Sequence, residues 1–135
     1  MDTTPTTHEN LLIVDDEGNL RKLLSVTLGY GLYKQYFAGN GSEALKLAQE
    51  IRPDVILLDI MMPGELNGLD VCRRIKQDPA LKHAYIVLLT ALGQQADRAA
   101  GLAAGADAYM VKPFSPIELI ELIETRPGHL EHRSE

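Results

Sequence analysis

Val55-Ile56-Leu57-Leu58-Asp59, running on into Ile60-Met61-Met62-Pro63-Gly64, decides the fold. An unbroken apolar run that ends in a carboxylate reads as a strand buried on both faces, as in a parallel sheet covered by helices. Three other runs share the design. Leu11-Leu12-Ile13-Val14 ends in Asp15-Asp16, Ile86-Val87-Leu88-Leu89 ends in Thr90, and Tyr109-Met110-Val111 ends in Lys112. In a parallel α/β sheet the C-terminal ends of the strands share one edge, and ligands bind there. The pattern therefore predicts that Asp15, Asp16, Asp59, Thr90 and Lys112 meet in one place.

Helical patterns alternate with these runs, which calls for right-handed crossovers and helices on both faces of the sheet. Strands are predicted over 11–14, 33–37, 55–59, 85–90 and 108–111; the second is more polar and suits a sheet edge. Leu20, Leu23, Leu24, Thr27 and Leu28 recur at helical spacing and stop at Gly29 or Gly31. A second helix over 42–50 has Asn40 and Glu43 in position for a capping box, and a third runs from about 68 to 76. An alanine-rich helix over 94–104, ended by Gly105, offers the core only small residues and Leu102, so it is expected to be the least firmly anchored. The last helix has Ser115 as N-cap, Pro116 at the first position, Glu118 completing a capping box, and Phe114 with Leu119 as a staple. Its apolar residues Ile117, Leu119, Ile120, Leu122 and Ile123 outnumber what one buried face requires. The fold class is α/β, a three-layer α-β-α sandwich of five parallel strands and five helices. The expected layout is a flexible arm over 1–10, one domain over 11–126, and a polar tail or linker over 127–135.

A chain of 135 residues suffices for one domain with a real core. Its 45% apolar and 24% charged content is that of a globular protein, and a net charge of −6 argues against direct contact with nucleic acid. The basic cluster Arg73-Arg74-Lys76 is expected on the solvated face of its helix. The single cysteine, Cys72, excludes an internal disulfide, fits a reducing compartment, and sits among apolar neighbours as a packing residue. No stretch is long and apolar enough to cross a membrane, and residues 1–10 lack the apolar segment of a signal peptide. A cytoplasmic location without membrane contact is the expectation.

Three carboxylates in one cleft need something to offset their repulsion, about 1 kcal/mol per pair at ~4 Å in water and several-fold more when partly buried. A hard divalent cation held by oxygens and waters is the simplest remedy, and Mg²⁺ suits it. Adjacent acids cannot both point the same way along a strand, so Asp16 is expected to face the metal while Asp15 acts through water or field. The cation would also let Asp59, a weak and negatively charged nucleophile, attack a phosphoryl donor. Thr90 could then hydrogen-bond one phosphoryl oxygen and Lys112 could charge-pair with another. The product would be an acyl phosphate on Asp59.

Over residues 10–126 the chain resembles the receiver domain of two-component response regulators. The resemblance lies in Leu11-Leu12-Ile13-Val14-Asp15-Asp16-Glu17, Asp59-Ile60-Met61-Met62-Pro63-Gly64, Leu88-Leu89-Thr90-Ala91, and Gly105-Ala106-Asp107-Ala108-Tyr109 leading to Lys112-Pro113-Phe114. It implies a flavodoxin-like sheet of order 2-1-3-4-5. It implies that Asp59 takes its phosphoryl group from a histidine kinase or phosphotransfer protein, with Mg²⁺, or Mn²⁺ as a substitute. Asp16, Asp59 and the backbone carbonyl of Met61 are the implied ligands, with Asp15 in support. Thr90 and Tyr109 match the family's switch pair, which alters the surface of the fourth helix, fifth strand and last helix toward a downstream protein, an output domain or a second copy. The peptide between Lys112 and Pro113 is commonly cis in the family. The implied role is that of a phosphoacceptor, not an enzyme, beyond self-catalysed transfer and slow autodephosphorylation. Met61 and Leu92 match positions that influence loss of the phosphoryl group; neither can orient water, so slow decay is expected. One stretch departs from the pattern: the loop over 63–68 is one residue longer than usual and borders the metal ligands.

Other functions compete for parts of the sequence. Gly39-Asn40-Gly41-Ser42-Glu43-Ala44 fits a dinucleotide fingerprint, with Asp59 placed to hold a ribose. Its preceding strand is too polar to be central, and it leaves Asp15, Asp16 and Lys112 idle. A flavodoxin would want hydroxyls and glycines where this chain has acids. A receiver-like interaction module that takes no phosphate would share the fold, yet all the acceptor-site residues are present.

Overall fold

The apolar runs become neighbouring strands of one sheet in the computed structural model, which describes residues 9–16, 33–62, 64–91, 95–112 and 114–127. The strands are β1 (Glu9–Val14), β2 (Tyr33–Ala38), β3 (Val55–Asp59), β4 (Tyr85–Ala91) and β5 (Ala108–Lys112). All neighbouring pairs are parallel and the order is β2-β1-β3-β4-β5, the expected fold class and order. Four helices lie among the described residues: α1 (Gly41–Ile51), α2 (Gly68–Gln77), α3 (Gln95–Ala103) and α4 (Pro116–Glu124). The helix expected around Leu20–Leu28 lies outside the described residues.

Residues two apart along a strand share a face, so each central run divides between two cores. Leu12, Val14, Ile56, Leu58, Ile86 and Leu88 join Ala44 and Ala48 of α1 and Val71, Cys72 and Ile75 of α2. Leu11, Ile13, Val55, Leu57, Val87 and Leu89 face the other way, toward Leu119 and Ile123 of α4. This explains why the runs lack polar alternation: neither face meets water. β2, the polar strand, is at the edge of the sheet, with Lys34 exposed and Gln35 to Phe37 only half-buried.

Several local expectations change. In α1, Asn40 Oδ1 accepts the Glu43 amide at 2.8 Å, but the Glu43 carboxylate takes the Gly39 amide at 2.6 Å, one residue before the cap. A reciprocal capping box forms instead at α2, between Asn67 and Asp70. At α4, Ser115 Oγ accepts the Ile117 amide at 3.2 Å. Leu102 is not a core residue: it is 60% exposed, and the buried residues at the end of α3 are Gly101 and Ala104. Of the last helix's apolar set, Leu119 and Ile123 are buried, Ile120 and Leu122 half-buried, and Ile117 exposed. Cys72 packs as expected; burial pushes its thiol up to about 11.

The basic cluster also divides. Arg73 and Arg74 are solvated, but Lys76 turns back to pair with Asp107 at 2.8 Å and donates to the carbonyls of Ala84 and Lys82 at 2.7 and 3.1 Å. Asp107 in turn accepts the Ile86 amide at 2.9 Å. The end of α2, the turn before β4 and the start of β5 are thereby tied together.

A second polar knot closes the opposite edge of the sheet. Buried Arg126 donates to Glu9 at 2.6 Å and to the Ile123 carbonyl at 2.7 Å, and Tyr33 donates to Glu124 at 2.8 Å. Burial works against the charge on Arg126, yet its bonds to Glu9 and Tyr33 hold the guanidinium above its usual pKa. Burial, reinforced by Glu124, raises the Tyr33 phenol well above its ordinary value of 10.0. A raised phenol pKa means the folded state keeps a proton that the unfolded chain has lost, so this contribution is intact below pH ~10 and declines above it. Urea unfolding should show stability falling as pH rises past that point, and falling less steeply in Tyr33→Phe. Parallel pH profiles for the two proteins would contradict the assignment.

Candidate functional site

Parallel pairing brings the ends of β1, β3, β4 and β5 to one edge. The Asp15 amide donates to the Ala38 carbonyl at 3.0 Å as β1 ends, and its side chain is buried; Asp16, the next residue, is exposed. Asp59 is the last residue of β3 and is only 6% exposed. Thr90 is buried in β4 and Lys112 ends β5. The adjacent acids do both reach the site: one oxygen each from Asp15, Asp16 and Asp59 lies within 4.8 Å of the others. The bend of the chain after β1 makes this possible, because Asp15 and Asp16 have left the alternating strand geometry.

Each oxygen of Asp59 has a partner. Lys112 Nζ meets Oδ2 at 2.7 Å, and the Met61 amide donates to Oδ1 at 3.0 Å. Among the described residues, one lysine faces three carboxylates, which leaves the cluster net negative, and the donors are all hard oxygens. These residues could hold a metal ion, and their chemistry fits a hard divalent cation. Met61 itself is 64% exposed beside the cluster. Tyr109 on β5 lies opposite Leu88 of β4, half-buried and two residues back from the level of Thr90. Leu92 and Pro113, and with it the Lys112–Pro113 peptide, lie outside the described residues.

Pro63 also lies outside them, but the rest of the longer loop is clear. Gly64 has φ +98°, a left-handed conformation that glycine takes without cost. Leu66 then packs into the first core, against Gly41, and Asn67 caps α2. This contact also settles the role of Gly41. A Cβ there would lie 2.7 Å from Leu66 Cβ, so this glycine, the first residue of α1 just after the edge strand, accommodates the protein's own loop. The dinucleotide fingerprint therefore belongs to loop packing.

Comparison with known proteins agrees with the geometry. Residues 11–124 match the model of the response regulator receiver domain. The chain belongs to the response regulator receiver family. This receiver domain is 49% identical over 119 residues to a probable transcriptional regulator, ycf27, of Guillardia theta, covering 88% of this chain and 45% of that one. It is 40% identical over 121 residues to the DNA-binding response regulator MtrA of Mycolicibacterium smegmatis, covering 90% of this chain and 51% of the relative. The chain thus spans about half the length of the curated relatives it matches. A putative response regulator from Chloroflexus aurantiacus superposes with a TM-score of 0.81 at 36% identity, over 87% of this chain and 96% of the other. Among the described residues, no helix is long and apolar enough to cross a membrane.

The site makes a charge-based prediction. Lys112 competes with any cation for Asp59, so Lys112→Ala should tighten Mn²⁺ binding several-fold, whereas Asp16→Asn should weaken it by about tenfold. The free-ion signal in electron paramagnetic resonance measures both. Weaker binding in Lys112→Ala would contradict the electrostatic account.

Proposed function

We propose that Asp59 is the phosphoacceptor of this receiver domain and that its covalent state is the signal. The carrying observation is the Asp59 carboxylate: nearly buried, paired with Lys112 at 2.7 Å, and grouped with Asp15 and Asp16 at the ligand-binding edge of a parallel sheet. A histidine kinase or phosphotransfer protein would present the donor as a phosphohistidine. An Asp59 oxygen attacks phosphorus, the phosphorus–nitrogen bond breaks, and the histidine nitrogen leaves with the electron pair.

Asp15, Asp16, Asp59 and the Met61 carbonyl are the residues that would hold Mg²⁺, or Mn²⁺ in its place. When bound, that cation supplies neutralisation of the charge between acceptor and phosphoryl oxygens. Lys112, already at the acceptor oxygen, then pairs with the new phosphoryl group. Thr90 donates its hydroxyl to another oxygen, and Tyr109 follows inward. The population shifts toward a conformer with an altered surface on α3, β5 and α4. Exposed Leu102 and Ile117 on α3 and α4 give that surface apolar contacts for a downstream protein, an output domain or a second copy. DNA binding, named for MtrA, belongs to a protein about twice as long, and this reading assigns the present domain only protein partners. The domain is taken as residues 9–126, two residues more than expected because Glu9 and Asn10 pair within β1, between an arm and a tail or linker, in a cytoplasmic protein.

Acetyl phosphate with Mg²⁺ should label the parent protein, and Asp59→Asn should take no label; persistent labelling of that variant would overturn the site. After removal of donor, the label should decay slowly, since the Met61 and Leu92 side chains cannot orient water. A variant carrying Asn at 61 and Glu at 92 should lose it faster, and an unchanged rate would count against that part.

A further inference from the structure

The backbone beside Asp59 is gripped from two sides. The Ile60 amide donates to the Leu89 carbonyl at 3.0 Å, which holds it to β4. The Ile60 carbonyl accepts the Gly68 amide at 2.9 Å, which holds it to the start of α2. Met61 follows directly, and its amide is the one bonded to the Asp59 carboxylate. The start of α2 is itself fixed, because Asn67 and Asp70 exchange side-chain to backbone bonds at 3.0 and 3.1 Å.

Gly68 is buried at this junction. A Cβ there would overlap the Asp59 carbonyl oxygen and lie 2.7 Å from Ile60 Cα and 2.9 Å from the Asp59 carbonyl carbon. All three obstacles are backbone atoms, which cannot rotate aside. At Gly101, by contrast, the nearest obstacle is the end of the Leu88 side chain, which can.

We propose that Gly68 is a positioning residue for phosphoryl acceptance. By seating α2 on the Asp59–Ile60 peptide, it fixes the Asp59 carboxylate and the Met61 carbonyl relative to Asp15 and Asp16. The proposal rests on Asp59 as acceptor. A side chain at 68 must displace the peptide that carries the acceptor, and small displacements of a ligand set are costly.

The test compares the parent with Gly68→Ala and with Val55→Ala, a core truncation at the far end of the same strand that serves as a stability control. Mn²⁺ affinity is read from the free-ion resonance signal, acetyl phosphate labelling from its rate, and stability from thermal melts. Gly68→Ala should bind Mn²⁺ and take label at least about tenfold less well, while Val55→Ala loses stability yet stays within about twofold of the parent. Parent-like Mn²⁺ affinity in Gly68→Ala would overturn the proposal. If that variant does not fold, Asn67→Ala decides: removing the cap loosens the start of α2, so affinity should fall a few-fold, and an unchanged value overturns the idea. A parent that takes no label overturns the acceptor reading and the proposal with it. A parent that labels, beside a Gly68→Ala that binds and labels equally, removes only the role of Gly68.

Discussion

Lys112 reaches across β4 to Asp59, and much of the molecule's design is visible in that 2.7 Å contact between residues 53 apart in sequence. Asp59 is level with Leu89 on β4, and Leu89 with Met110 on β5, so Lys112 lies two residues beyond the acid it meets. Only the parallel register, fixed by apolar side chains on both faces, holds such a pair in place. A slip of one residue in β5 would exchange its two faces. The pair also tempers the cost of placing three carboxylates together without cancelling their charge, which leaves the cluster attractive to a cation.

Around this contact the structure is unevenly braced. The end of β3 is clamped: Ile60 is bonded to both β4 and α2, and Met61 to Asp59 itself. Lys76 and Asp107 brace the far end of β5, and Arg126 closes the sheet's opposite edge. α3 is the contrast, since its described C-terminal part buries little beyond Gly101 and Ala104, and Leu102 points outward. A rigidly held Asp59 beside a lightly held helix suits a domain in which a local covalent change is converted into a change of surface.

The strands and the acidic edge were legible because their signals are local: unbroken apolar runs, each ended by a polar residue. The polarity of Tyr33-Lys34-Gln35-Tyr36-Phe37 likewise marks it as an edge. What escaped was relational. Periodicity could not tell whether Leu102 or its small neighbours would face the sheet, because an alanine-rich helix has no strong apolar stripe to set its rotation. Lys76 reads as one more charge on a polar face, and only its tertiary position beside Asp107 turns it inward. Arg126 follows the last helix in sequence, and nothing local indicates that Glu9 and Tyr33 wait for it. The helix start at about 68 was legible, but the capping box was not read there, although Asn67-Gly68-Leu69-Asp70 carries its signal, a capping residue with an acid three positions on.

The central claim is that residue 59, among three neighbouring acids, carries the phosphoryl group. Borohydride reduces an acyl phosphate to the alcohol, converting a phosphorylated aspartate to homoserine. Protein labelled with acetyl phosphate and Mg²⁺, reduced and digested, should yield homoserine at position 59, found by peptide mass spectrometry, with Asp15 and Asp16 unmodified. Homoserine at 15 or 16 instead, or its absence from 59 in protein shown to be labelled, would contradict the account.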